Sequence, residues 1–438
     1  MKRSIWKLFI LLISLLTGFL SGCSSTPDSW FYKPEHFGIK ISSQKVFSDA
    51  RGFGINAIAG RGGQVIKVTN LNPQGPGSLQ EALYTKGPRI IVFEVGGIID
   101  MKMERIVVLE PYVTIAGQTA PSPGITIIRG NIHISTHDVL VQHIAVRPGD
   151  GADLKKQNWE PDALSTSGAC YNVIVDHCSV SWSIDEGISF SGNRTGGPLQ
   201  TTRFSTISNC IIAEELSNAT HSKGEHSKGT LIHDFCQYIA VIGNLYAHNN
   251  DRNPYFKAFT TGVVVNNFIY NPGESAMKVR FVHDEWSYAK MKPENARVAF
   301  VGNVFIAGVN TAAGLPMIDG WGDIYVNDNI TSDGHALLGK VADDSLVLLD
   351  APYVWPKGFV AKPASETAHN VLSNAGMRPW DRDPVDQRII TVVAAGRGKI
   401  INSQDEVGGY PKYTMTTRKL EVPEGVDLHD WAVNFKGK

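Results

Sequence analysis

The stretch Asp251-Arg252-Asn253-Pro254-Tyr255-Phe256-Lys257 places two cations five positions apart around a proline. A planar guanidinium and an ammonium on a stiffened turn form an element that reads anions. Upstream, His226-Ser227-Lys228-Gly229-Thr230-Leu231-Ile232 puts a third cation immediately before an apolar strand, and His221-Ser222-Lys223-Gly224 nearly copies its start. The following strand fixes the position of Lys228, whereas Lys223 reads as a solvated loop residue. Carboxylates cluster in Glu160-Pro161-Asp162 and in Asp185-Glu186, with Ser189 close behind. Hard oxygen ligands of this kind, brought together from two segments, hold Ca²⁺ with positions left open for a substrate carboxylate.

The elements that must position these residues are short β-branched runs, each followed by Asn, His or Gly. They are Val113 to Gly117, Val139 to His143, Val173 to His177, Thr206 to Asn209, Ala240 to Asn244, Val263 to Asn267, Ala299 to Asn303 and Ile324 to Asn327. Their interval of roughly 23 to 36 residues falls in the range of solenoids and propellers. A single coil of two or three such strands cannot bury its apolar face, whereas stacked coils can. The Asn or His at the same point of each coil suits a corner with unusual backbone angles. A propeller would need a steadier period and hairpin turns. The pattern therefore predicts an all-β chain folded as a right-handed parallel β-helix, a solenoid. Coil ends then meet on one face, where Glu160, Asp162 and Asp185 can converge, while strand alternation directs Glu186 to the other face. Asp176-His177 reads as a hydrogen-bonded structural pair. Ser78 is placed to cap a short N-terminal helix that plugs the open end of the solenoid. The expected organisation is a targeting segment over residues 1–23, a tether over 24–44, the β-helix over 45–352 and an irregular C-terminal extension over 353–438, packed along the outside and carrying no visible chemistry.

Taken together, these motifs resemble those of the pectate lyases of polysaccharide lyase family 1. Arg252 and Pro254 match that family's Arg-x-Pro-x-x-Arg signature, with Lys257 in place of the second arginine. Lys228 stands in a match to His-x-Lys-x-x-Leu-Ile, and Val-Ile-Val-Asp176-His177 matches the coil signature. The resemblance covers roughly residues 46–409 and is strongest from Asp138 to Asn271. It implies that Arg252 is the base of a β-elimination, that Lys228 and Lys257 bind the uronate carboxylate, and that Asp162 and Asp185, with Glu160 shifted in position, hold Ca²⁺. Ser189 occupies a place where the family often has another Asp, which lowers the charge of the expected cation site. The implied substrate is a 4-linked polyuronate such as homogalacturonan. Loss of its C5 proton builds charge on the carboxylate, where cations would stabilise it. An arginine base needs a desolvated setting crowded by other cations, because guanidinium otherwise keeps its proton. Three rivals share parts of the pattern. A lyase for another uronan, such as alginate or a sulfated algal polymer, uses the same machinery. A β-helical hydrolase of pectin would need Asp185-Glu186 as its paired acids and leaves Arg252 and Lys228 without a task. A β-helical adhesin would need no site at all.

The formal net charge of −1 supplies no global field for a polyanion, so acidic substrate must be read by the local cations, and no nucleic-acid partner is expected. Charged residues are 19% of the chain, which suits an exported β-rich protein better than a helical cytosolic one; a monomer is expected. Cys170, Cys178, Cys210 and Cys236 fit no zinc spacing, and Cys178 and Cys210 are expected to stack as small core residues rather than to bond. At the start of the chain, Lys2, Arg3 and Lys7 precede the apolar run from Leu8 to Leu20, which ends in Leu20-Ser21-Gly22-Cys23. The run is short for a membrane span, and its end resembles a bacterial lipobox. The resemblance implies cleavage before Cys23, acylation of its sulfur, and an outer-membrane or cell-surface lipoprotein of a diderm bacterium. Replacing Cys23 with Ala should release the protein from the membrane fraction or block its processing. Wild-type membrane retention of the Cys23→Ala protein would refute the anchor.

Overall fold

A computed structural model describes residues 30–40, 42–151, 159–287, 289, 291–339 and 346–436; Cys23 and the rest of the targeting segment lie outside them. All eight runs picked out by their β-branched residues are found in one eleven-stranded sheet, each a neighbour of the next. Every pairing along this sheet from Gln64–Val68 to Val347–Leu348 is parallel. The register explains why β-branched residues recur. Ile115, Val141, Val175, Ile207, Val241, Val264 and Phe300 lie opposite one another in successive strands and run through the core as one buried row.

A second, fifteen-stranded sheet supplies the other two faces of the solenoid. The long strand Ile125–Ile134 links them. Its first half pairs with Ile144–Arg147 and its second half with Leu164–Thr166. From there one branch runs through Ser179–Ser181, Ile211–Ala213, Leu245–Ala247, Phe268–Tyr270 and Val304–Ile306. The other runs through Glu186–Phe190, Lys228–Ile232, Tyr255–Phe256, Met277–Val279 and Ile318–Gly320. The chain is thus a three-faced parallel β-helix.

The expected corner column is present at the end of the first face. His143, His177, Asn209, Gly243, Asn266, Gly302 and Asp328 all adopt positive φ, between 48° and 70°. One residue further on, side chains turn inward and stack. Cys178 N–H points at Cys210 Sγ at 3.4 Å, and Cys210 N–H donates to Asn244 Oδ1 at 2.8 Å. The Nδ2 groups of Asn244, Asn267 and Asn303 then each donate to the Oδ1 of the next asparagine, at 2.9–3.0 Å, ending on Asn329. Their second protons go to the carbonyls of Ile207, Val241 and Val264. All four described cysteines are buried and free, and Cys178 and Cys210 stand just past the corner, immediately before Ser179–Ser181 and Ile211–Ala213.

The appended segments cover two of the three faces. Ser78 accepts from Glu81 N at 3.2 Å and caps the helix Leu79–Tyr84, whose Leu79, Ala82 and Leu83 join the main core beside the first strands. The segment expected as a tether is docked from residue 30 onward: Phe31 packs on Phe259, Tyr32 N–H donates to Gln237, and Phe37 packs on Phe204 and Tyr238. Its aromatic residues are the reason, since exposed rings would forfeit their burial. The C-terminal extension is more regular than its sequence implies, with helices Ala364–Asn374, Pro384–Ala394 and Leu428–Val433. The first two lay Ala364, Val371, Val385, Ile389 and Val393 on Ile211, Leu245 and Phe268 of the second face. The outside of the first face is covered by Val46, Phe47, Phe53, Trp355 and Phe359. The third face differs. Its outward row reads His133, Ser165, Ser189, Leu231, Tyr255, Lys278 and Asp319 in register, a mostly polar strip.

The C-terminal extension is pinned by charge as well as by apolar contact. Arg147, fully buried, pairs with Asp383 Oδ2 at 2.6 Å and Asp386 Oδ1 at 2.9 Å. Removing one partner of a buried ion pair leaves the other charges uncompensated. Arg147→Ala should therefore cost about 3–5 kcal/mol in denaturant unfolding. A loss below about 1 kcal/mol, the range of exposed pairs, would show that the pair does not secure the extension.

Candidate active site

The third face ends, at its strand N-termini, in a corner where most of the expected residues meet. Asp162 lies just before Leu164–Thr166, and its Oδ1 accepts from Glu186 N at 3.0 Å while Oδ2 accepts from Ser189 Oγ at 2.5 Å. Ser189 thus orients Asp162 in place of a further carboxylate. Asp185 and Glu186 open the strand Glu186–Phe190. One oxygen each from Asp162, Asp185 and Glu186 lies within 4.8 Å of the others.

Two expectations need correcting here. Glu186 faces this cluster and forms an ion pair with Arg252. The alternation that directed it elsewhere breaks at Gly187, where a Cβ would approach Glu215 Oε1 to 2.5 Å and Ile212 Cγ2 to 2.9 Å. Gly187 therefore faces inward together with Ile188, and Glu186 faces out. Glu160, expected as a third ligand, is drawn off by the 221–226 loop. Its Oε1 accepts from Ser222 N at 2.6 Å and its Oε2 lies 3.6 Å from His221 Nε2. Glu186 takes its place in the carboxylate cluster.

The cations are set by the same register. Lys228 begins its strand opposite Glu186 and bridges to Asp251. Asp251 is a hub: Lys228 Nζ donates to it at 3.2 Å, Lys278 Nζ at 2.6 Å, and Ser275 also donates. Burial works against its charge, but Lys278 and Lys228 hold its carboxyl well below the usual range. Lys278 went unnoticed in the sequence. Its only signal was a lone lysine in an otherwise apolar strand, Met277–Val279. Arg252 follows Asp251 with φ 65°, the left-handed conformation that also shapes the corners of this fold. Its side chain is 23% exposed, and burial lowers its pKa against the opposing charges of Asp185 and Asp162. The desolvation required of an arginine base is present. The expected crowd of cations is not: carboxylates surround the guanidinium.

Lys257 is not beside Lys228. It follows Tyr255–Phe256 at the opposite end of the strip, is 5% exposed at its side chain, and pairs with Glu285 and Asp234. Lys223 is exposed, as expected of a loop residue. Asp176 is buried and accepts from Gln142, His177, Ser208 and Asn209 at 2.7–3.0 Å, which makes Asp176-His177 a structural network.

A histidine pair completes the corner. His226 Nε2 lies 3.1 Å from Asp185 Oδ1, and His221 stacks on it with ring centroids 3.5 Å apart. His221 Nδ1 accepts from Lys223 N at 3.0 Å, so its proton sits on Nε2, facing Glu160 and Asp185. His226 Nδ1 donates to Glu225 O at 3.1 Å. His221, with its proton on Nε2, faces Asp185 and Glu160 as a donor, His226 Nε2 packs against Asp185 Oδ1, and the carboxylate oxygens are the hard donors of the corner. The donor set, three carboxylates and no available imidazole lone pair on His221, suits a hard cation such as Ca²⁺.

A β-helix with one polar face, a carboxylate corner and a desolvated arginine beside a lysine-paired aspartate is the build of an enzyme for an anionic polymer. No protein-family model matches the chain. Curated relatives do: the chain is 33% identical over 382 residues to probable pectate lyase C of Aspergillus terreus, covering 84% of this chain and 82% of that one. It is likewise 33% identical over 389 residues to probable pectate lyase C of Neosartorya fischeri, covering 85% and 83%. Among solved structures, the major cedar-pollen allergen Jun a 1 superposes with a TM-score of 0.54 at 16% identity, covering 75% of this chain and 92% of that one. A pectate lyase bound to a hexasaccharide gives 0.54 at 14% identity, covering 78% and 100%. The chain belongs to the pectate lyase family.

Beneath the corner lies Glu215, fully buried, with Oε2 accepting from Ser183 N at 2.6 Å. Burial, with the nearby charges of Glu214 and Asp162, raises its pKa from 4.5 to about 8. Because the folded value is the higher one, Glu215 stabilises the fold fully below pH 4.5, and this contribution is lost as pH rises through about 8. Glu215→Gln should melt near wild type at pH 5 and clearly above it at pH 9. An equal shift at both pH values would show that Glu215 does not titrate in this window.

Proposed function

We propose that this pectate lyase cleaves 4-linked polygalacturonate by Ca²⁺-assisted β-elimination, releasing unsaturated oligogalacturonides. The observation that carries the reading is Arg252, desolvated and held in a left-handed backbone conformation between the Asp162–Asp185–Glu186 cluster and the Lys228–Asp251–Lys278 hub. Asp162, Asp185 and Glu186 would hold Ca²⁺, which supplies a positive charge at the uronate carboxylate and offsets the carboxylates that favour Arg252's proton. Lys228 binds the same carboxylate, and Asp251 aims it. Lys278 shares Asp251's charge, leaving Lys228 less firmly neutralised than a one-to-one pair would. Arg252 takes the C5 proton. The electron pair forms the C4–C5 double bond, the C4–O4 bond breaks, and the departing oxygen takes a proton from solvent. His226 and His221 hold Asp185 in place throughout.

Steady-state formation of unsaturated product on polygalacturonate tests this, with a melting curve for each variant. Arg252→Lys keeps the charge but loses the planar fork. The kcat should fall at least about 100-fold with KM little changed, the scale of a lost general base. Excess chelator should abolish turnover in wild type. Near-wild-type kcat in both Arg252→Lys and Arg252→Ala would remove the base assignment. Activity on alginate or a sulfated uronan in preference to polygalacturonate would move the substrate, and saturated reducing ends would remove the lyase mechanism. We further propose that the enzyme works at the cell surface as a Cys23-acylated lipoprotein, with the aromatic segment from Trp30 joining the anchor to the β-helix.

A further inference from the structure

At the far end of the polar strip, Lys257 is one of two cations. Arg194, on the 3-10 turn Arg194–Gly196, reaches the same place. Its Nε pairs with Asp234 Oδ2 at 2.8 Å, and its Nη2 with Glu285 Oε2 at 2.6 Å. Lys257 Nζ lies 3.7 Å from Asp234 Oδ2 and contacts Glu285 Oε2 directly. Two cations thus face two carboxylates, and the carboxylates are not equivalent. Asp234 is fixed: its side chain is fully buried, and Oδ1 accepts from Ala258 N at 3.0 Å. Glu285 rides on the four-residue turn His283–Trp286, and its side chain is 36% exposed. Arg194 Nη1 also donates to the Glu285 main-chain carbonyl at 3.2 Å, and His233 Nδ1 lies 3.0 Å from Asp234 Oδ2. With the Glu285 carboxylate withdrawn, Lys257 and Arg194 would keep Asp234 as their one carboxylate partner among the described residues, leaving one positive charge uncompensated in a largely desolvated place. The face of Trp286 closes one side, with the Arg194 guanidinium carbon 5.8 Å from the ring centroid.

We propose that Glu285 is a built-in stand-in for a substrate carboxylate: it occupies an anion subsite formed by Lys257 and Arg194, and an incoming uronate displaces it. The inference rests on the uronan-lyase reading and extends it from the reacting sugar to a sugar further along the strip. A polyuronate carries a carboxylate on every residue, so a chain lying on the strip with one sugar at Arg252 offers another to this end. Glu285 neutralises the subsite in its absence, which spares the fold an unpaired buried cation. It also sets a selectivity filter, because only a ligand with a carboxylate can replace it without loss, and a methyl-esterified or neutral sugar cannot.

The test is calorimetric binding of saturated trigalacturonate to the full protein without calcium, alongside KM and kcat on polygalacturonate. Glu285→Gln keeps the shape and removes the charge. It should bind trigalacturonate about 10-fold more tightly, with a lower KM and kcat held, since one charge-assisted competitor is gone. A neutral oligogalactoside of the same length should gain nothing. Adding Arg194→Gln to Glu285→Gln should cancel the gain. If Glu285→Gln is poorly folded by its melting curve, Glu285→Asp, which keeps the charge but shortens its reach, carries the same comparison. Unchanged or weaker trigalacturonate binding in a folded Glu285 variant overturns the proposal and leaves Glu285 as a clamp on its turn. Absence of unsaturated product from wild type would strike the lyase mechanism instead, and the binding comparison would still decide the subsite.

Discussion

In-register parallel pairing of one coil on the next is the constraint on which the rest of this molecule depends. It puts each residue directly over its counterpart in the following coil, so any property at one position is repeated as a column. Columns of valine and isoleucine become the core. A column of asparagines becomes a hydrogen-bonded ladder in which each side-chain carbonyl accepts from its neighbour, and each amide of the column is partnered. The cysteines at positions 178 and 210 head that ladder because a thiol is small enough to end it.

The same rule builds the active site. Asp162, Glu186, Lys228 and Asp251 come from four successive coils and meet because each stands at or just before the start of a strand on one face. Opposite charges placed so closely in partly dry surroundings must be paired or neutralised. Glu186 takes Arg252, Asp251 takes Lys228 and Lys278, Asp185 takes His226, and Asp162, the least compensated, has its pKa pushed up to about 7 by burial and by Asp185. The cations of the resting site are thus already engaged by carboxylates, and a charged ligand exchanges with existing partners rather than entering an empty field. Arg252 shows the consequence most clearly, since desolvation and neighbouring carboxylates act on its proton in opposite directions.

Selection of the reactive face follows from what covers the others. Two outer faces carry apolar side chains and are sheathed by the N-terminal aromatic segment, the 350s loop and the C-terminal helices. The third carries serine, histidine, tyrosine and lysine with one leucine, too little apolar surface to attract a cover. Arg147, on the covered second face, anchors the helices that do the covering.

Periodicity of β-branched residues by itself determined the coil architecture, eight of the eleven strands of the first face and the free buried cysteines, because those depend only on what must be buried and at what interval. Residue type marked Arg252, Lys228, Asp162 and Asp185, since charged groups beside such strands are few. What the linear order could not supply was direction. Glu186 turns outward because a glycine next to it leaves room only for an inward backbone, and the atoms that crowd that glycine come from the next coil. Glu160 leaves the cluster because a loop sixty residues later presents Ser222 N–H to it. Lys257, five positions from Arg252, lies at the other end of the face because a strand intervenes, and its partners Asp234 and Glu285 come from neighbouring coils. Each of these outcomes is set by contacts between coils, which exist only once the coils are stacked.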